Sequence, residues 1–386
     1  MRKGMNPKKI HEVSQMAAVV DKLCKECAVR HIVDIGSGLG YLGQVLSADY
    51  GYRVLGLEGV NTRTHSAEQQ VRKKELSNTD FRSVTFTLCD TDECFTEFHQ
   101  MLHNELLDEE CLKGDKSLVE EASQSQQEQN MTQKALEPGI TDKSQGPQGM
   151  PLCMMGLHCC GDLTPTMLRL LTRTTDIDCL VCVGCCYHNM TCTDSQEYKS
   201  FPMSSKLRAV MKHAQEKHPE WHLNTFALRL AAQETRARWQ RQTSADHEYH
   251  VKNVAFRGIV ELFCQTEDSV LTKTRRRVAR RKDYDTFDTY LAAVFDRTTL
   301  SGNQDMALVL NKLQHLYSSH TPDMVFIEPF TALQVALQPV LESLVVLDRL
   351  QFLHEHDISA TAVPIFDDEI SPRNLALVGW KHTRNS

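Results

Sequence analysis

Residues 32–43 read IVDIGSGLGYLG. A β-branched run, an acid at Asp34 and the glycines Gly36, Gly38, Gly40 and Gly43 describe a strand handing over to a helix. Glycine supplies the backbone conformations that such a tight turn needs, and the helix start offers free N–H groups to a nucleotide-type cofactor. Two cofactors match the spacing. Gly38-x-Gly40-x-x-Gly43, with Glu58 about twenty residues on, satisfies the dinucleotide fingerprint. Gly36-x-Gly38-x-Gly40 satisfies the loop that binds S-adenosylmethionine (SAM) equally well.

Charge separates the two. A carboxylate at Asp34 would face a pyrophosphate across a few ångströms, which is repulsive where the dielectric is low. SAM carries an ammonium and a sulfonium, so the same acid favours it. The expected cofactor set is therefore Asp34, Gly36, Ser37, Gly38 and Gly40, with Glu58 on the ribose hydroxyls and Asp90 on the adenine amino group.

Ile10, Val13, Ala17, Val20, Leu23 and Cys27 recur at helical spacing over residues 7–28, with Asn6 as N-cap and Pro7 at the first helical position. Strands are expected at 31–36, 52–58, 82–89, 152–158 and 178–185, with helices at 41–49, 61–76 and 164–172. Apolar strands alternating with helices imply a doubly wound, mostly parallel sheet. TAVPIF at 361–366 and LALVGW at 375–380 then close it as an antiparallel hairpin.

The chain divides accordingly. Residues 1–103 hold the N-terminal helix and the cofactor-binding half, and 104–150 form an acidic insertion poor in apolar residues, expected to be disordered. Residues 151–192 carry the fourth and fifth strands, 193–330 a helical insertion, and 331–386 a long buried helix and the closing hairpin. The net charge of −7 arises mostly in the acidic insertion, so overall acidity neither supports nor excludes a nucleic-acid substrate. No apolar stretch reaches the roughly 20 residues of a membrane span, and Met1-Arg2-Lys3-Gly4 opens no apolar signal core. Fourteen cysteines without an export signal read as free thiols in cytosol or nucleus.

Two blocks follow the fourth and fifth strands: His158-Cys159-Cys160-Gly161-Asp162-Leu163-Thr164 and Gly184-Cys185-Cys186-Tyr187-His188-Asn189. In a doubly wound sheet both lie at the carboxyl edge, beside the cofactor. An acceptor pocket using His158, Asp162 and Tyr187, with Cys185 and Cys186 lining it, competes with thiol packing, a cysteine nucleophile and a zinc set drawn from His158, Cys159 or Cys160, Cys185 or Cys186, and His188. Adjacent cysteines lack the usual two-residue spacer of zinc ligands, so no metal is expected. Cys179, Cys182 and Cys185 along one buried strand read as core. Lys8 and Lys9 occupy a first helical turn, where the helix dipole favours acids, which points to a nearby anion. The basic run KTRRRVARRK at 273–282 could track phosphates or simply be solvated. No Asn/Asp-Pro-Pro-Tyr/Phe motif follows the fourth strand, which disfavours base N-methylation by that route.

NPKKIHEV at 6–13, VDIGSGLGYL at 33–42, GLHCCGDL at 156–163, VGCCYHNMT at 183–191 and SPRNLALV at 371–378 together resemble the methyltransferase-like protein 25 family. The resemblance implies a Rossmann-like class I methyltransferase fold, SAM as cofactor, and methyl transfer to an undefined acceptor. The two cysteine blocks are also similar to those of tRNA acceptor-stem 2′-O-methyltransferases, where a His-Leu-Cys-Gly and a Cys-Cys-His-His stand. Here Cys159 replaces the leucine and Tyr187 the first histidine. That similarity favours RNA over protein as substrate. A catalytically degenerate scaffold acting through protein partners is the alternative.

Overall fold

A computed structural model describes residues 5–73, 79–107, 151–193, 197–275, 277–302 and 305–381. Most of the acidic insertion, residues 108–150, lies outside them. The chain forms two compact units, Met1–Ala232 with Val340–Ser386, and Gln233–Pro339. The expected insertion at 193–330 is thus shifted, and residues 193–232 belong with the first unit.

The first unit is built on a seven-stranded sheet. Its strands are β1 (His31–Ile35), β2 (Arg53–Glu58), β3 (Phe81–Thr85), β4 (Leu152–Cys159), β5 (Ile177–Gly184), β8 (Ser359–Pro364) and β9 (Leu375–Trp380), while β6 (Leu271–Lys273) and β7 (Thr298–Leu300) pair with each other in the second unit. Their order is β3-β2-β1-β4-β5-β9-β8. The first five run parallel, while β9 is antiparallel to both β5 and β8. The strand order reverses between β1 and β4, and the carboxyl ends of strands flanking such a switch point form a binding crevice. This is the Rossmann-like arrangement with a closing antiparallel hairpin.

Alternation along the strands sends side chains to two cores. Ile32, Val54, Met155 and Val181 pack with Val13, Ala17 and Val20 of helix α1 (Pro7–Glu26) and with Leu42 and Leu46 of helix α2 (Tyr41–Tyr50). Val33, Leu55, Met154 and Leu180 pack on the other face with Phe98 and Met167, and with Leu353 near the chain's end. Asn6 caps α1 by accepting from Lys9 N at 2.8 Å, with Pro7 at the first turn.

Three expectations are corrected. Strand β3 stops at Thr85, because its partner β2 ends at Glu58, opposite Thr85. Residues 86–90 therefore leave the sheet, and Asp90 does not end a strand. The long helix, Ile327–His354, is not buried all round: Phe330, Leu333, Leu337, Val340 and Leu347 are exposed. Finally, the run Met306–His354 contains a window of mean hydropathy 1.6, long and apolar enough by composition to cross a membrane, with 28% of that window buried.

The unit Gln233–Pro339 has its own aromatic core around Phe256, Tyr284, Phe287 and Tyr290. Part of the basic run is paired within it: Arg281 meets Asp246 at 2.7 Å and lies over the Tyr249 ring, and Arg275 lies 3.7 Å from Asp296.

Candidate active site

The glycine turn is fixed by backbone before any ligand is considered. Gly36 N and Ser37 N both donate to Leu57 O, at 2.8 and 3.0 Å, tying the loop to β2. Gly40 sits at φ +70°, and a Cβ there would lie 2.5 Å from the Phe81 ring, so both conformation and space require glycine. Glu58 holds the loop from the other side. Its Oε2 accepts from Gly38 N at 3.0 Å and its Oε1 from Val60 N at 3.1 Å, with Arg63 at 3.4 Å. A carboxylate has about four lone-pair positions, so capacity for a ligand hydroxyl remains. Ser37 Oγ is buried without a hydrogen-bond partner and would meet a Cβ at Gly56 at 2.9 Å; it packs the loop onto β2.

Asp34 is 2% exposed. Burial pushes its carboxyl up to about 7, with Lys9 opposing and Glu58 reinforcing the shift. A buried acid of this kind is completed by a cation and opposed by a phosphate. The donor set therefore fits SAM and does not fit a pyrophosphate. Lys9 itself is shifted downward by burial, against the pull of Glu12 and Asp34. Lys8 reaches Glu12 at 3.7 Å. The anions beside this unusual first turn thus include the protein's own acids.

On the acceptor side, His158 is bulged out of β4. The register shifts between Leu157 and Cys159, and His158 adopts φ +68°. Such strain in a non-glycine residue persists only where its surroundings hold it, and it gathers at functional sites. Here His158 Nε2 lies 3.0 Å from Glu12 Oε1 on α1. Glu12 is 2% exposed and also accepts from Ser371 Oγ at 2.7 Å. Burial alone would raise its pKa, but the His158 and Ser371 hydrogen bonds, the His158 charge and Lys8 bring it down to about 2. Charge neighbours therefore run in sequence from Glu58 through Asp34, Lys9 and Glu12 to His158.

The remaining expected residues are otherwise engaged. Tyr187 is buried, its hydroxyl donating to Glu342 Oε1 at 3.0 Å while Arg373 donates to the same oxygen at 2.8 Å. The Arg349 guanidinium lies over its ring. Tyr187 is thus part of a structural network and not a group facing an acceptor. Asp162 Oδ2 accepts from Thr191 N and Oγ1, at 2.8 and 2.6 Å, which pins the loop after β5; its other oxygen is buried and unpartnered. Asp90 takes Arg169 at 2.8 Å, so its place beside an adenine is not a free one. Cys185 and Cys186 converge with Cys160, whereas Cys159 turns away against Met167 Sδ at 3.5 Å. The Cys185 thiol lowers Cys160 to about 6 by hydrogen bonding and is itself pushed up in return.

Glu12, Ser371, Glu342 and Arg373 were not singled out by sequence reasoning. Glu12 had one available signal, an acid set between the apolar positions Ile10 and Val13 on the buried side of an amphipathic helix.

Residues 8–193 match a family described as a methyltransferase domain. Over that stretch the chain is similar to a methyltransferase domain. It is 27% identical to the probable methyltransferase-like protein 25 of Homo sapiens over 467 aligned positions, covering 98% of this chain and 75% of the human protein. Against the probable methyltransferase-like protein 25 of Mus musculus the identity is 25%, with the same coverage. Among solved structures, magnesium protoporphyrin IX methyltransferase from Synechocystis PCC 6803 with bound SAH is 12% identical, covers 56% of this chain and 69% of its own, and has a TM-score of 0.26. The fold assignment rests on the strand order itself.

Proposed function

We propose that this methyltransferase uses SAM and methylates an acceptor at the carboxyl edge of β1, β4 and β5, with RNA as the acceptor class. The observation that carries the cofactor reading is the buried Asp34 carboxyl beside a glycine loop that Glu58 braces. Asp34 would meet the cofactor's positive charge, Gly36, Gly38 and Gly40 would let its chain approach the backbone, and Glu58 would take ribose hydroxyls. Bound SAM would supply an electrophilic methyl group. The protein's own contribution is alignment, together with a group that can receive the acceptor's proton. His158, held by Glu12 at 3.0 Å, has the geometry of a base oriented by a carboxylate, as in triads generally. It replaces the broader set of His158, Asp162 and Tyr187.

The preference for RNA rests on the likeness of the HCCGD and CCYH blocks to those of tRNA 2′-O-methyltransferases. Exposed basic residues such as Arg275 are compatible with it. The test is labelled-methyl transfer onto fractionated extract of cells lacking the endogenous protein. Label destroyed by ribonuclease is the expected result; protease-sensitive label would reassign the acceptor to protein. Calorimetry with S-adenosylhomocysteine (SAH) checks the cofactor separately, and uptake of NAD without SAH binding would overturn it.

A degenerate scaffold is the second reading, favoured by the internal engagement of Asp162 and Tyr187. It requires SAH binding without turnover on any fraction, and indifference of the protein's cellular role to His158→Ala. Cytosol or nucleus is the proposed location, on the strength of the free thiols alone.

A further inference from the structure

The loops after β4 and β5 bring three thiols to one point. Cys160 Sγ lies 2.9 Å from Cys185 Sγ, Cys185 Sγ lies 3.5 Å from Cys186 Sγ, and all three sulfurs fall within 4.8 Å of one another. A tetrahedral ion with metal–sulfur bonds of about 2.3 Å sets its sulfurs roughly 3.8 Å apart, so the contacts at 2.9 and 3.5 Å would open by less than about 1 Å to admit it. Backbone contacts fix the convergence independently of the sulfurs. Gly161 N donates to Cys186 O at 3.2 Å and Asn189 N to the same oxygen at 3.0 Å. Gly161 adopts φ +55°, and a Cβ there would come within 2.6 Å of Asn189 O. The loops are therefore clamped at the one residue that allows so close an approach.

The cluster is graded in depth. Cys185 is buried, Cys186 half-buried and Cys160 exposed, so the cluster meets solvent through Cys160. The missing two-residue spacer is no obstacle, since the third thiol comes from a different loop. A second set of mutually hydrogen-bonded thiols, Cys24, Cys153 and Cys179, is fully buried among apolar side chains.

We propose that Cys160, Cys185 and Cys186 bind a thiophilic divalent cation of the zinc class through three thiolates, leaving a fourth coordination position open. Three protein ligands and one open position distinguish reactive zinc sites from closed structural ones. Binding replaces the thiol protons, which pass to buffer as the sulfur–metal bonds form. The site lies on the same sheet edge as the cofactor loop, yet the binding itself does not depend on methyl transfer.

The test uses the full chain, kept reduced with a phosphine and stripped by a chelator, then titrated with Co2+ as a spectroscopic probe. The expected result is one equivalent bound with a thiolate-to-cobalt charge-transfer band, displaced by Zn2+. Cys160→Ser should weaken this by about 100-fold or more, while the exposed Cys192→Ser leaves it unchanged. Native mass spectrometry of unmodified protein given one equivalent of Zn2+ provides a reading without any variant. A cobalt band of equal affinity in Cys160→Ser, no mass gain with Zn2+, or a Cys160–Cys185 disulfide persisting under reductant would each overturn the proposal.

Discussion

His158 Nε2 stands 3.0 Å from Glu12 Oε1, a contact between a bulge at the end of β4 and the second turn of α1. Ser371, just ahead of β9, closes on the same carboxylate oxygen. The pair is expected to act as a unit. Glu12→Gln and His158→Ala should each lower single-turnover methyl transfer by about 10²-fold or more, and the double variant should lose little further. SAH affinity, measured by calorimetry, should stay within a few-fold of wild type in all three.

The same carboxylate gives an acid-stability prediction. Its folded pKa of about 2 lies below the ordinary value of 4.5. A depressed carboxyl stabilises fully above its unfolded pKa and loses that contribution as pH falls toward the folded one. Urea midpoints should therefore drop between pH 4.5 and pH 2 partly on account of Glu12. Glu12→Gln should be less stable than wild type at pH 7, with a shallower acid slope; equal slopes would remove Glu12 from the explanation.

Asp34 has the opposite sign. Its pKa of about 7 in the free protein means that binding a cation must expel a proton over much of the range below that value. SAM affinity should rise from pH 5.5 to 7 and flatten above, with proton release visible as a buffer-dependent heat. Asp34→Asn should cost about 1–3 kcal/mol of SAM binding and abolish the pH slope.

Tyr187→Phe should separate structure from chemistry. It removes a donor to Glu342 while Arg373 still satisfies that oxygen, so the expected loss is about 1 kcal/mol. Thermal denaturation should show a lower Tm, while methyl transfer below the transition stays unchanged. A large fall in turnover at full folding would return Tyr187 to the acceptor side.

Gly40→Ala tests the cofactor turn. The backbone at φ +70° and the Phe81 ring 2.5 Å from the added Cβ act together, at a cost of about 2 kcal/mol or more. SAH heat should disappear before the fold does.

The sheet was legible because its signals are local: β-branched runs, a glycine turn and the Asn6–Pro7 cap each act within a few residues. The extent of β3 was not, since it depends on where β2 ends at Glu58, and nothing near residues 82–89 records that. The exposure of the helix expected at about 331–353 is not legible for a related reason. Apolar character on several faces usually means a core helix, yet Phe330, Leu333 and Leu347 remain exposed. In the site, Asp34 and Glu58 followed from charge and spacing, whereas Glu12 and Ser371 meet across most of the chain. Tyr187 looked reactive by residue type alone; Glu342 and Arg373, far along the chain, tie it into the interior.

Strand β9 lies between β5 and β8, which sets an order on biogenesis. During translation β5 emerges long before residues 375–380 and has no neighbour on that side until they leave the ribosome. An unpaired, apolar strand edge is a template for association with other chains. Nascent chains of this protein should accordingly engage holding chaperones from the emergence of β5 onward, and a premature stop shortly before Leu375 should yield aggregates and not a slightly shortened enzyme.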